Sequence, residues 1–317
     1  MAAALDLRTL DAPVVQAGMG AIARHELAAT VSEAGGLGTI AGVRAPIADM
    51  IAAARGLTGK PIAVNLLLPF VRDGDAQAAA TADAIVTFWG EPRRLAANTW
   101  IHQCGSVEEA KAAAAAGADA VIAQGVEAGG HVRGTTPLLE LLERVRAAVK
   151  IPVLAAGGIV DADGVKAALD AGAVAAVAGT RFLLSDESHA HPDYKQRCLD
   201  ADETIVTELF GLSWPDAPHR VIPNGATRRW LSGDRRGPGW IRTANRLMAP
   251  LTKRIPASAQ DRAIKTQRPS QPFLGPQPPT DDGPDNLLES GPLYAGMNVA
   301  RITDIRPAAE LVKTLTP

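Results

Sequence analysis

From residue 13 to about residue 184, short apolar runs rich in β-branched residues alternate with Ala-rich segments of helical periodicity. That order predicts a parallel sheet whose crossovers are helices. The candidate strands are residues 13–16, 37–41, 61–67, 84–89, 99–103, 120–123, 152–155 and 174–178, eight in all. Eight parallel strands close into a barrel, so the expected fold is α/β, a (β/α)8 TIM barrel, with its chemistry at the C-terminal strand ends. The intervening helices are marked by their caps. Ser106 and Glu109 form a capping box before the run 110–116, Gly117 stops that run, and Asp161 starts a helix that ends near Gly172. Residues 91–98 leave room for barely two helical turns, so the fourth helix is expected to be short.

The pattern changes after residue 205, where Trp, Pro and Arg become frequent, and residues 256–292 are rich in Pro, Gln, Ser and Asp. Such a stretch is poor core material. A structureless loop of that length is uncommon inside a compact domain, so a lid, an oligomer arm or a flexible excursion is expected. Residues 304–315 regain helical periodicity, with Ile305, Ala308, Leu311 and Leu315 on one side. The expected organisation is therefore a barrel over 1–205, a cap or lid insertion over 206–300 that contains the Pro-rich segment, and a C-terminal helix over 301–317 that packs back on the barrel.

Composition narrows the function classes. With 47% hydrophobic and 21% charged residues in 317, the chain can bury a real core. Thirty-two basic against thirty-four acidic residues leave a formal charge of -2, which signals neither nucleic acid nor an anionic membrane surface and points to a small-molecule ligand. Cys104 and Cys198 match no metal-ligand or redox spacing, so a reducing compartment and no metal are expected. No window approaches the roughly 20 apolar residues of a membrane helix, and the N-terminus reads as no leader peptide, so the expected location is cytoplasmic. Homodimerisation is left open.

The candidate chemistry follows the predicted strands. Gln124-Gly125-Val126-Glu127-Ala128-Gly129-Gly130-His131 begins at the end of the sixth strand. Its glycines allow positive φ and close approach to a flat or phosphorylated ligand, and a neutral imidazole can accept a proton near pH 7. A surface loop with an incidental histidine is the plainer alternative. Gly157-Gly158 follows strand seven and Gly179-Thr180 strand eight, the two positions that commonly form the phosphate site of barrel enzymes. Gln16-Ala17-Gly18-Met19 places a thioether where it could lie along a ring system, though a core methionine is commoner. The Asn65 amide could meet an imide edge or simply hold a turn. His102 and Gln103 end strand five, expected toward the mouth, while His25, His189, His191 and His219 read as structural or surface residues. Gly18-Met19-Gly20-Ala21-Ile22-Ala23 departs from the dinucleotide fingerprint after two glycines.

These residues resemble the nitronate monooxygenases, formerly 2-nitropropane dioxygenases. The resemblance is carried by residues 13–19, 64–66, 124–131, 156–159 and 179–182, then 207–210, 214–220 and 294–297. It implies FMN on the barrel mouth and oxidation of alkyl nitronates by O2 to a carbonyl compound and nitrite, with His131 as the catalytic acid or base. It also implies Asn65 and Gln124 against the flavin, Gly129 and Gly158 along its ribityl and phosphate, Gly179 and Thr180 on the phosphate, and Tyr294, with His102 a further candidate, on the substrate side. Gln16, Ala17, Gly18, Met19 and Gly157 complete the cofactor set. Related barrels with the same Gly-Gly-His string are NAD(P)H-dependent quinone reductases or enoyl reductases, and fold analogy does not separate them.

Overall fold

The computed structural model describes residues 4–252, 255 and 257–317. Pro256, where the Pro-rich segment begins, and the first three residues of the N-terminal reading lie outside the described residues. The chain divides into two compact units. One holds the residues up to Ala128 with Arg133–Ser188 and Asp304–Pro317, and the other holds Gly129–Val132 and His189–Thr303.

The first unit is the barrel. Its strands are β1 (Val14–Gln16), β2 (Gly38–Ala41), β3 (Ile62–Leu67), β4 (Ala84–Phe88), β5 (Thr99–Cys104), β6 (Ala120–Gln124), β8 (Val153–Ala156) and β9 (Ala176–Ala178). The order is β1-β9-β8-β6-β5-β4-β3-β2, parallel throughout, and a parallel bridge between Val15 and Leu37 brings the two ends together into a nearly closed barrel. The expected TIM barrel is therefore present, with every predicted strand within two residues of an observed one. The reason is visible in the alternation. Val15, Val86, Ile101, Ile122, Leu154 and Val177 fill one buried cluster, while their neighbours Val14, Trp100, Val121, Val153 and Ala176 pack in another with the helices. Strands buried on both faces read as continuous apolar runs.

Around them lie α1 (His25–Glu33), α2 (Ile47–Leu57), α3 (Asp73–Ala79), α4 (Val107–Ala115), α5 (Leu138–Ala148), α6 (Ala162–Asp170) and the single turn α7 (Thr180–Leu183). Ser106 Oγ accepts from Glu109 N–H at 3.1 Å and Asp161 Oδ1 from Gly164 N–H at 2.9 Å, as predicted, but the Glu109 carboxylate accepts from Gly105 N–H at 2.8 Å rather than from Ser106, so the capping box is not reciprocal. The fourth crossover differs from expectation, because residues 89–98 contain no helix at all. Trp89 there takes a left-handed φ of 64° before Gly90 at 90°, which turns the chain sharply off β4. The C-terminal helix, Ala308–Leu315, buries Ala308, Leu311, Val312 and Leu315 against α1 and α6. Ile305 does not join that face: it precedes the Pro307 cap and is 38% exposed.

The second unit is built on an antiparallel sheet. Here β7 (Gly130–His131), β10 (Ile205–Thr207) and β12 (Leu293–Tyr294) all pair with β11 (His219–Ile222). Around it are α8 (Pro192–Leu199), α9 (Gly225–Trp230), α10 (Gly239–Thr252), α11 (Ala257–Lys265) and α12 (Leu287–Ser290). The Pro-rich segment is better packed than its composition suggests. Leu274, Leu287 and Leu288 are buried, and buried Gln267 ties the segment together. Its Nε2 donates to Ser290 O at 2.8 Å, its Oε1 accepts from Gly275 N–H at 3.0 Å, and its carbonyl accepts from Asn286 Nδ2 and Ser290 Oγ. One side chain thus supplies the backbone pairing that the prolines cannot.

Candidate active site

In the barrel unit, glycine loops stand side by side at the strand ends. Gln16 is in register with Ala178 and Gln124 with Ala156, so the loops after β1, β9, β8 and β6 are successive neighbours on one rim. Gly157 and Gly158 adopt φ of 130° and 68°, which a side chain would strain. A Cβ on Gly179 would meet only the Ala17 Cβ, at 3.7 Å, so this backbone is bare on that side. A Cβ on Gly18 would lie 2.4 Å from that of Asn65, which makes the glycine a requirement for seating the β1 loop against the end of β3.

The polar side chains on this rim differ in how far they are already committed. Asn65 Nδ2 donates a long bond of 3.3 Å to Val86 O, and Gln124 Oε1 accepts from Arg133 N–H at 3.1 Å. Gln16 is fully buried, with its Oε1 on Thr39 N–H at 2.9 Å and its Nε2 on Ala17 O, so its amide is consumed in the wall. Thr180 opens the single turn after β9, and beside it Arg181 is buried in a structural pair with Asp304 at 2.8 Å. Met19 packs against the helix-side core cluster. Glu127 takes a role that sequence reading missed: both its carboxylate oxygens accept from Leu138 N–H, at 3.1 and 3.0 Å, which caps α5 where Pro137 offers no side-chain acceptor.

His131 lies on β7 in the second unit, directly across from His219 on β11. Its ring stacks on Trp214 with centroids 3.8 Å apart, meets His219 edge-on at 5.2 Å, and lies 5.6 Å from Tyr294. Burial, followed by the neighbouring His219, holds the His131 pKa well below the usual imidazole value. The imidazole is therefore neutral at pH 7 and disposed to accept a hydrogen bond or, beside an anion, a proton. His219 is fully buried rather than on the surface, and burial pushes it down to about 4. Its Nδ1 donates to Ala217 O at 3.0 Å, which leaves Nε2 as the lone-pair nitrogen, with no hydrogen-bond partner.

Gly129 belongs to this unit, and a Cβ on it would come within 2.6 Å of the Ala295–Gly296 backbone. Its bareness lets β7 approach the chain just after β12. The Tyr294 hydroxyl donates to Pro276 O at 2.8 Å, and burial raises its pKa, so this phenol stays protonated.

His102 does not join the polar side chains of the rim. Strand alternation puts it on the face of Trp100 and Cys104, which pack into the helix-side cluster, and its Nδ1 is 2.8 Å from Thr87 Oγ1. The same hydroxyl accepts from Trp100 Nε1 at 2.7 Å. Both cysteines are buried free thiols, with Cys104 pushed up to about 12 by burial. Among the described residues, no group of three or more His, Cys, Asp or Glu could hold a metal ion. His25, His189 and His191 pair with Glu26, Asp281 and Asp285, as structural residues do.

Comparison with known proteins places this arrangement. A model of the nitronate monooxygenase family matches residues 2–102 and 94–317. The chain is 34% identical to a nitronate monooxygenase of Pseudomonas aeruginosa over 280 residues, covering 68% of this chain and 80% of that one. It is 35% identical over 247 residues, 73% of this chain and 68% of the other, to the (3aS,4S,5R,7aS)-5-hydroxy-7a-methyl-1-oxo-octahydro-1H-indene-4-carboxyl-CoA dehydrogenase of Mycobacterium tuberculosis. Among solved structures, FabK from Thermotoga maritima superposes with a TM-score of 0.76 at 29% identity, covering 98% of this chain and 93% of that one. With the family model spanning nearly the whole sequence on an eight-stranded parallel barrel, this chain belongs to the nitronate monooxygenase family of oxidoreductases.

Proposed function

We propose that the chain binds FMN and oxidises alkyl nitronates with O2 to a carbonyl compound and nitrite. The observation that carries the reading is the neutral His131, fixed on Trp214 and paired in register with His219. The barrel rim supports the cofactor reading: the positive φ of Gly157 and Gly158 disfavours side chains there, and the Gly179 backbone is bare, a Cβ on it meeting only that of Ala17. Gly158, Gly179 and Thr180 would hold the phosphate, and Asn65 and Gln124 the polar edge of the ring, with Ala17 and Gly18 along it, while Met19, packed against the helix-side cluster, would support the β1 loop from behind. Gln16 would shape the wall only, since both ends of its amide are engaged. Bound FMN would supply the redox centre that takes electrons from the substrate and returns them to O2.

The remaining work falls to the protein. A neutral imidazole accepts the proton from the carbon α to a nitro group at a ring nitrogen, and the anion formed beside it offsets the burial that otherwise resists imidazolium. With a nitronate already formed, the His131 N–H is a donor to the anion. The second reading is an NAD(P)H-linked flavin reductase using the same rim; the 35% identity to a carboxyl-CoA dehydrogenase supports only that redox chemistry other than nitronate oxidation occurs among the relatives. Nitrite release from an alkyl nitronate by the FMN-loaded protein tests the first reading. His131→Asn is expected to keep FMN, seen in its absorbance, and to lose at least roughly 100-fold in turnover, in line with the usual contribution of a positioned acid or base. Normal turnover by that variant removes His131 from the mechanism.

A further inference from the structure

Residues 227–268 hold nine arginines and two lysines against two aspartates, a net charge of +9 in a chain whose total is -2. The whole-chain balance hides this segment. Within it, α10 carries a buried line on one side and an exposed apolar line on another. Ile241, Asn245 and Ala249, four residues apart, face the unit's interior and are buried. Trp240, Leu247 and Leu251, seven and then four residues apart, form a second line along the helix that is 56%, 72% and 61% exposed. Ile255, 44% exposed, follows in sequence. Exposed basic side chains lie in the same stretch of chain, among them Arg229, Arg235, Arg262, Lys265 and Arg268, and Arg229 sits over the Trp230 ring, whose centroid is 6.1 Å from that of Trp240. Glu208, Asp216 and Asp234 pair with Arg236, Arg246 and Arg242, and do not offset the rest.

We propose that this face of α10 is a docking surface for an anionic phospholipid bilayer. Trp240, Leu247 and Leu251 would enter the boundary between headgroups and acyl chains, and the surrounding arginines and lysines would meet lipid phosphates. Large exposed aliphatic side chains in a line headed by a tryptophan, within a segment of net charge +9, match the chemistry of an interfacial helix. A nucleic acid offers phosphates but nothing for two leucines. A protein partner of standard size needs about 20 to 30 residues a side, far more than this line supplies. Among the described residues, no helix is long and apolar enough to cross a membrane, so the mode is lying on the surface. This inference does not depend on the proposed chemistry.

The test is co-sedimentation of the full-length protein with vesicles of phosphatidylcholine alone and of phosphatidylcholine with phosphatidylglycerol, at low and high salt. The expected result is binding only to the anionic vesicles, weakened by salt because exposed charges are screened. Leu247→Glu with Leu251→Glu should abolish it, and Arg262→Glu with Lys265→Glu should weaken it by on the order of 30-fold or more, from roughly fivefold per cation removed. The charge variant leaves the apolar line intact and so guards against a folding defect in the first. Absence of binding to anionic vesicles overturns the proposal, as does binding that neither variant alters. A self-association in light scattering that the leucine variant disrupts, without vesicle binding, would instead assign the face to a second copy of the chain.

Discussion

Acid should destabilise this protein through two particular histidines. His102 in the barrel unit and His219 in the sheet unit are both pushed down to about 4, chiefly by burial. For His102 the Glu109 carboxylate partly offsets that burial, and Arg133 adds to it. In the unfolded chain an imidazole titrates near 6.5, so between the two values the unfolded state binds the proton that the folded state refuses. Stability is therefore fully present above about pH 6.5 and is lost as the pH falls toward 4. At about pH 5, each histidine removes roughly 2 kcal/mol relative to pH 7.5, rising to about 3 kcal/mol below the folded pKa. His131, also depressed, acts in the same direction. The assay is urea unfolding followed by circular dichroism at the two pH values, for the native chain, His219→Gln and His102→Gln. Each variant starts from lower stability, because it disturbs a packed site, but its drop on acidification should be smaller by roughly 2 kcal/mol. An acid drop identical to that of the native chain in both variants would refute the reasoning, since the carboxylates common to all three would then account for it.

Two further outcomes follow from the geometry. Thr180→Val removes a hydroxyl from the proposed phosphate site and should weaken FMN binding by on the order of 1.5 to 3 kcal/mol in a fluorescence titration, whereas unchanged affinity would move the phosphate elsewhere. Gln267→Ala leaves Ser290 O and Gly275 N–H without their side-chain partner and should cost roughly 2 kcal/mol or more in thermal unfolding, with proteolysis appearing first within the Pro-rich segment. An unchanged melting profile would show that segment to be held by other contacts.

What could be read from the chain was what is locally encoded. The barrel strands carry their own apolar runs and turn signals, and Ser106 and Asp161 announce their helices within three residues. The pairing that fixes His131 is not of that kind. Residues 130–131 form a strand only because residues 219–220 return to pair with them, and no local pattern signals a partner so distant. For the same reason His219 reads as a structural or surface residue, although the string from Trp214 to Arg220 belongs to the family resemblance. Gln267 was invisible because its value lies in satisfying backbone groups of residues 275 and 290, which composition cannot show. Position along β5 alone points His102 toward the mouth, but the two-residue alternation of a strand decides which face it takes.

The most direct test of the proposed chemistry is anaerobic stopped-flow absorbance near 450 nm, with the FMN-loaded protein mixed separately with an alkyl nitronate and with NADH or NADPH. The account predicts bleaching by the nitronate alone, followed by nitrite release when oxygen is admitted. Bleaching by the nicotinamide alone would contradict it and assign the barrel to the reductase reading.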